Sequence, residues 1–177
     1  MENVTMAIEN MSVGYRVKGG NKVVATLRDV ELNRGEMVCL LGKDGVGKSS
    51  LLRTLCAKQP ALAGSVKVLD VSLKRYGSKH LSRIMSTVMA DEDGKCGKTV
   101  WNFVAMGRSP HTGMLGRLKE SDKTVVEKCL NWFGIEHLAS RKMSSRSDGE
   151  RKKVVIAKAI AQETPFVMLD EPTDGLD

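Results

Sequence analysis

Residues 37 to 58 constrain the fold of this chain more than any other stretch. Met37-Val38-Cys39-Leu40-Leu41 is a continuous apolar run, and Lys48 to Lys58 carries Leu51, Leu52 and Leu55 at helical spacing. The unalternating run predicts a strand buried on both faces, and the leucine stripe predicts an amphipathic helix. Between them lies Gly42-Lys43-Asp44-Gly45-Val46-Gly47-Lys48-Ser49, which matches G-x-x-x-x-G-K-[ST] in the strand, loop and helix setting that gives the pattern meaning. Glycines let successive amides curl inward, and the helix start adds partial positive charge to the same concavity. Lys48 can then reach the outer phosphates of a nucleotide, and the Ser49 hydroxyl can join a Mg²⁺ shell. The candidate nucleotide-binding residues are Gly42, Lys43, Asp44, Gly45, Val46, Gly47, Lys48, Ser49 and Ser50. Asp44 and Val46 are unusual fillers, but side chains at those places need not touch phosphate. The competing reading, a glycine-rich turn with an incidental lysine, is disfavoured by the two flanking elements.

Upstream, Thr5 to Ile8, Met11 to Tyr15 and Val23 to Leu27 read as antiparallel strands, the last two joined by a turn at Lys18-Gly19-Gly20-Asn21. Downstream, Gly64 to Val71 reads as a strand and Lys79 to Ile84 as a short helix leading into a strand at Ser86 to Met89. Asp91-Glu92-Asp93-Gly94-Lys95 is polar and marks a subdomain boundary, after which the periodicity turns helical. Val100 to Met106 is one expected helix, Asp122 to Phe133 with Gly134 as its stop is another, and a third starts after Ser147. Pro165 separates that third helix from an apolar strand at Phe166 to Leu169.

The 177 residues suffice for one domain with a real core, and 41% hydrophobic residues support a folded chain. No apolar run approaches the ~20 residues needed to cross a bilayer. The opening residues lack a secretory signal, so a cytoplasmic protein is expected. The four cysteines, Cys39, Cys56, Cys96 and Cys129, show no metal or redox spacing and read as reduced thiols. The formal charge of +7 is split among short clusters such as Arg151 to Lys153, which fits solvated helix faces. With two Trp, two Tyr and three Phe there is little material for stacking bases, and no nucleic-acid partner is expected.

Phe166-Val167-Met168-Leu169-Asp170-Glu171 ends an apolar strand in two carboxylates, suited to holding Mg²⁺ through Asp170 and polarising a water through Glu171. Two acids at a strand end are commonly just solvated, and only the phosphate loop upstream shifts the balance. Ser147-Asp148-Gly149-Glu150-Arg151, Val155-Ile156-Ala157-Lys158-Ala159 and Leu169-Asp170-Glu171-Pro172-Thr173 follow in an order that resembles the signature and Walker B region of ABC ATPases. Thr173 to Asp177 resembles the D-loop that comes next. Thr99-Val100, Gly107-Arg108-Ser109-Pro110-His111 and Gly113 to Leu118 resemble a segment of importer subunits for iron-siderophore, haem and cobalamin compounds.

The resemblance covers the whole chain. It implies an α/β P-loop NTPase (RecA-like) core with an N-terminal antiparallel β region and an inserted helical subdomain, divided as residues 1–90, 91–146 and 147–177. It implies ATP and Mg²⁺ as ligands, Ser49 and Asp170 as metal-holding residues, and Glu171 as the catalytic residue. Tyr15 stands where the family stacks an aromatic ring on adenine, although local strand packing explains it equally well. The signature residues Ser147, Asp148, Gly149 and Glu150 are implied to close on ATP held by a second subunit, in a homodimer or heterodimer that drives an integral-membrane permease from the inner face of the cell membrane. Rival expectations are a non-hydrolysing or regulatory nucleotide-binding subunit and a soluble ABC ATPase outside transport.

The pattern breaks in three places. Ala90 stands where the family's Q-loop glutamine is expected and offers no oxygen. Arg146 and Asp148 replace the leucine and glycine of the signature. Ser147 with Glu150 forms an S-x-x-E capping box, so Asp148 reads either as a stabiliser of the helix start or as a charge opposing the nucleotide. The family's switch histidine lies beyond the D-loop, past the last residue of this sequence, which is expected to be a fragment or a shortened product. Slow hydrolysis is the corresponding expectation.

Overall fold

The protein is described by a computed structural model covering residues 4–90, 95–113 and 116–173. It comprises two compact units, Met1–Gly77 and Ser78–Asp177. The boundary residues Asp91 to Gly94, the importer-like residues Met114 and Leu115, and Asp174 to Asp177 of the D-loop lie outside the described residues.

In the first unit β1 (Val4–Val17) is the spine of a five-stranded sheet. It pairs antiparallel with β2 (Gly20–Leu27), β3 (Val30–Asn33) and β4 (Ala63–Val68), and β5 (Val71–Ser72) follows antiparallel to β4. The two strands expected over Thr5 to Tyr15 are one. What separates them is a bulge: the register on β4 shifts between Glu9 and Ser12, and Asn10 takes a φ of 42°, a conformation asparagine tolerates. Met6, Ile8, Met11, Val13, Val66 and Val68 are buried at its core.

The helix α1 (Lys48–Leu55) lies against β1 and buries Leu51 and Leu55, as the leucine stripe predicts. It stops short of Lys58 because Ala57 turns left-handed at φ 56°, and the Lys58 and Gln59 amides fold back onto the Arg53 carbonyl.

The expected buried strand is not formed. Met37 to Leu41 pairs with no strand among the described residues, and Met37 and Leu41 are 92% and 88% exposed. A run without polar alternation becomes a strand where ladder partners flank it and helices cover both faces. Every described strand of its own unit is instead taken up in the antiparallel sheet.

The second unit holds α2 (Ser78–Leu81), β6 (Met85–Val88), α3 (Val100–Ala105), α4 (Glu120–Trp132), α5 (Asp148–Ala161) and β7 (Phe166–Leu169). β6 and β7 run parallel, Met85 opposite Phe166 through Val88 opposite Leu169, with the Asp170 amide continuing the ladder to the Val88 carbonyl. The helices between them share one core, including Val100, Val104, Val126, Leu130, Met143, Val154 and Val155. Gly134 ends α4 with φ 63°, the left-handed stop its sequence predicts.

The importer-like segment is built into this core. A Cβ at Gly107 would run into the Lys158 carbonyl of α5, so only glycine permits that approach. Arg108 is buried. Its Nε donates to Asp122 Oδ1 at 3.0 Å, and one terminal nitrogen donates to the Ala161 carbonyl at 2.8 Å and to Glu163 Oε2 at 2.7 Å. One guanidinium thereby ties the start of α4 to the end of α5.

Candidate functional site

The phosphate loop of the first unit leaves the start of α1 undecorated. Gly47 is the N-cap, at φ 103°, with no side-chain cap and no acid in the first turn. A Cβ there would press on Val24 at 3.0 Å in a conformation that L side chains avoid, so this glycine is fixed by both sterics and backbone. Gly45 also has positive φ. The Lys48 ammonium lies across the loop, donating to the Gly42 and Lys43 carbonyls at 2.8 and 3.1 Å. Asp44, a candidate binding residue whose side chain need not touch phosphate, reaches the same ammonium at 3.4 Å. Val46 is exposed, and Ser49 lies in the first turn of the helix with Ser50 buried beside it.

Tyr15 stands half-exposed at the end of β1, and its hydroxyl lies 2.8 Å from the Ser50 Oγ in the first turn of α1. Sequence reasoning offered stacking or packing for this ring. The bond to Ser50 is a third feature, joining the strand to the phosphate-loop helix.

In the second unit Asp170 is buried at the end of β7, 3% exposed, and Glu171 beside it is exposed. Glu171 has φ 50°, a left-handed conformation unusual for a non-glycine residue and one that accumulates at functional sites. Ala90 is exposed just past β6. A serine hydroxyl and a carboxylate are hard oxygen donors, so Ser49 and Asp170 fit Mg²⁺ in chemistry, each within its own unit. Among the described residues no cluster of three His, Cys, Asp or Glu side chains could hold a metal by itself. Cys39 is exposed, Cys56 and Cys129 are buried, and burial pushes the Cys129 thiol pKa up.

The signature end of α5 is the reverse of the start of α1. Ser147 caps it, accepting from the Glu150 amide at 3.2 Å, while Glu150 accepts from the Ser147 amide at 3.0 Å, the reciprocal box its sequence predicts. Asp148 is exposed and its carboxylate accepts from Arg151. From sequence Arg151 reads as part of a solvated basic cluster and its pairing with Asp148 is missed, although the i, i+3 spacing of acid and base was there to find it. Arg146 lies 3.7 Å from Glu150.

The family described as ABC transporter matches over residues 27–174, most of the chain, including the phosphate loop, the signature and the Asp170-Glu171 pair. The chain belongs to the ABC transporter family. This ABC chain is 38% identical over 169 residues to an uncharacterized ABC transporter ATP-binding protein of Methanocaldococcus jannaschii, covering 96% of the chain and 57% of that relative. It is 34% identical to the ferric enterobactin transport ATP-binding protein of Escherichia coli, covering 96% of the chain and 61% of the relative. Among solved structures, cbiO1 of Clostridium perfringens, part of the transporter complex cbiONQ, superposes with a TM-score of 0.80 at 28% identity, over 99% of this chain and 68% of that one. The chain therefore spans about three fifths of the length of these two curated relatives. The fold class expected from the sequence, a P-loop NTPase with an N-terminal antiparallel β region and helical subdomain, is that of the family. None of the helices among the described residues is long and apolar enough to cross a membrane.

Proposed function

We propose that this chain is the ATP-binding part of an ABC importer subunit, and that it serves uptake of a metal chelate of the iron-siderophore, haem or cobalamin kind. The observation that carries the nucleotide half is the bare, glycine-capped start of α1 with Lys48 held across it. The first-turn amides and the Lys48 ammonium bind the phosphates, and Tyr15 orients the adenine by stacking. Ser49 and Asp170 would hold Mg²⁺, which when bound offsets charge on the phosphate oxygens. Glu171 orients and polarises the attacking water. The transport half rests on the importer-like segment at Gly107 to His111 and on the ferric enterobactin relative. In this reading a homodimer or heterodimer of such subunits sits on a permease at the inner face of the cell membrane. Ala90 and Asp148 favour slow turnover, and a second reading, a non-hydrolysing subunit paired with a competent partner, rests on those two residues.

Equilibrium titration with a fluorescent ATP analogue and Mg²⁺ tests the reading. Saturable binding is expected, weakened at least about tenfold by Lys48→Ala, since a charge-assisted phosphate contact contributes roughly 1.5 to 3 kcal/mol. Equal affinity of the two forms would sink the assignment. Recovery of a membrane-integral permease with the affinity-tagged protein supports the transport half, and its absence from detergent extracts counts against it.

A further inference from the structure

Residues 146 to 151 place two bases and two acids around one helix start, and the structure pairs each with an opposite. Arg151 is the better anchored of the bases. Its side chain is 12% exposed, one terminal nitrogen donates to the Arg146 carbonyl, and the other donates to the Asp148 carboxylate. The Asp148 side chain is 82% exposed. Arg151 sits one turn further into α5, so the carboxylate is held by a base of the same helix at i, i+3 spacing. The same contact brings a positive charge against the one negative group that departs from the family's glycine.

We infer that Arg151 is a positioning residue of the signature. It retains and neutralises Asp148, so that the start of α5 can still approach the phosphate of an ATP molecule held by a second subunit. The inference rests on the proposal that the signature closes on nucleotide across a dimer. It changes what Asp148 means: the substitution does not by itself abolish the signature, because its compensating charge lies three residues away. Without Arg151, the acid swings free at a helix end that must meet an anion.

The consequence is a dependence of one residue on the other, which a purely structural arginine would not show. Five forms of the full chain are compared: native, Arg151→Gln, Arg151→Lys, Asp148→Asn and the double variant Arg151→Gln with Asp148→Asn. ATP-dependent self-association is followed by sedimentation at several nucleotide and salt concentrations, and thermal unfolding is recorded alongside. Arg151→Gln is expected to weaken ATP-dependent association three- to tenfold when Asp148 is present and less than twofold in the Asp148→Asn background, with Arg151→Lys recovering at least half of the loss. The difference between backgrounds should shrink as salt rises, because the acid is exposed. The same loss in both backgrounds, with association otherwise intact, overturns the role of Arg151 alone. If no form associates on adding ATP, the dimer reading falls and this inference with it. A loss that merely tracks the unfolding temperature across the five forms makes Arg151 a structural residue and likewise overturns it.

Discussion

The starts of α1 and α5 are the same structural object treated in opposite ways. Both leave backbone amides pointing out of a helix, and both stand in motifs that the family directs at ATP. At α1 the cap is a glycine with no side chain, the first turn holds no acid, and a lysine lies over the carbonyls of the loop. At α5 serine and glutamate bond the end amides reciprocally and two acids occupy the first turn. A third start, that of α4, goes further: Asp122 takes the Lys119 amide at 2.9 Å and is buried against Arg108. A helix that binds phosphate must leave its amides to the ligand, whereas one that stabilises the fold satisfies them internally. On that scale α1 leaves its amides without side-chain caps, α4 satisfies its own internally, and α5 stands between.

The largest effect follows at α4. Asp122→Ala leaves Arg108 buried with the half-exposed Glu163 as its one ion-pair partner among the described residues, and stability should fall by about 3 kcal/mol, at the low end of the range for breaking a buried pair. Urea unfolding of the two forms measures it, and a loss under ~1 kcal/mol would show that the site is as solvated as α5. The pH dependence has a defined sign. The Lys119 amide first, and the Arg108 guanidinium after it, hold the Asp122 carboxyl below its ordinary pKa, while burial opposes them. A depressed folded-state pKa means that this stabilisation is complete above the unfolded value of about 3.9 and is lost as pH falls through the lower folded value. Asp122→Asn should therefore be less stable at neutral pH, with the gap to the native protein closing in strong acid.

How far these differences could be read beforehand depends on whether the cause is local. The caps at Gly47 and Ser147, the stop at Gly134 and strand β7 follow from residues within one turn or one strand, and all were legible. The Met37 to Leu41 strand was not, because a strand exists only with neighbours that its own residues do not supply. The bulge at Asn10 was hidden for a related reason: β1 is held together across it by three different partners. Arg108 was noted as part of a motif, but its work depends on Asp122 and Glu163, 14 and 55 residues away. At the site, Lys48 and Glu171 come from motif chemistry. The Tyr15–Ser50 bond needed coordinates, since it joins residues 35 apart and depends on how a side chain is turned, whereas the Asp148–Arg151 pair was announced by its i, i+3 spacing alone.

The two helix starts can be exchanged for effects of intermediate size. Ser147→Ala removes a cap and should lower stability by ~1 kcal/mol while leaving the affinity of the phosphate loop for ATP unchanged. Gly47→Ala forces a Cβ into φ 103° against Val24, a cost of ~1 to 2 kcal/mol, and should weaken ATP binding as well because the loop must shift. Paired thermal unfolding and ATP titration separate the cases. If Ser147→Ala weakened ATP binding by the isolated chain, or Gly47→Ala spared it, the division of labour between the two ends would be wrong.

The smallest effect concerns Tyr15, where binding and packing meet in one side chain. Its hydroxyl contact to Ser50 is partly buried and neutral, so Tyr15→Phe should lower stability by ~0.5 to 1 kcal/mol. The half-exposed ring remains in that variant, so ATP affinity should stay within about twofold of native. Tyr15→Ala removes the ring too, and if the ring stacks on adenine it should lose a further ~1 to 3 kcal/mol of binding, by analogy with base–aromatic stacking. The two substitutions thus split one residue into its halves. Were Tyr15→Phe as damaging to ATP binding as Tyr15→Ala, the hydroxyl would be acting by holding the first turn of α1 in place, and the start of that helix would need internal support after all. Were neither to change binding while both lowered the unfolding temperature, Tyr15 would belong to the packing of β1. Fluorescence titration of the three forms at one salt concentration, beside their melting curves, discriminates these outcomes.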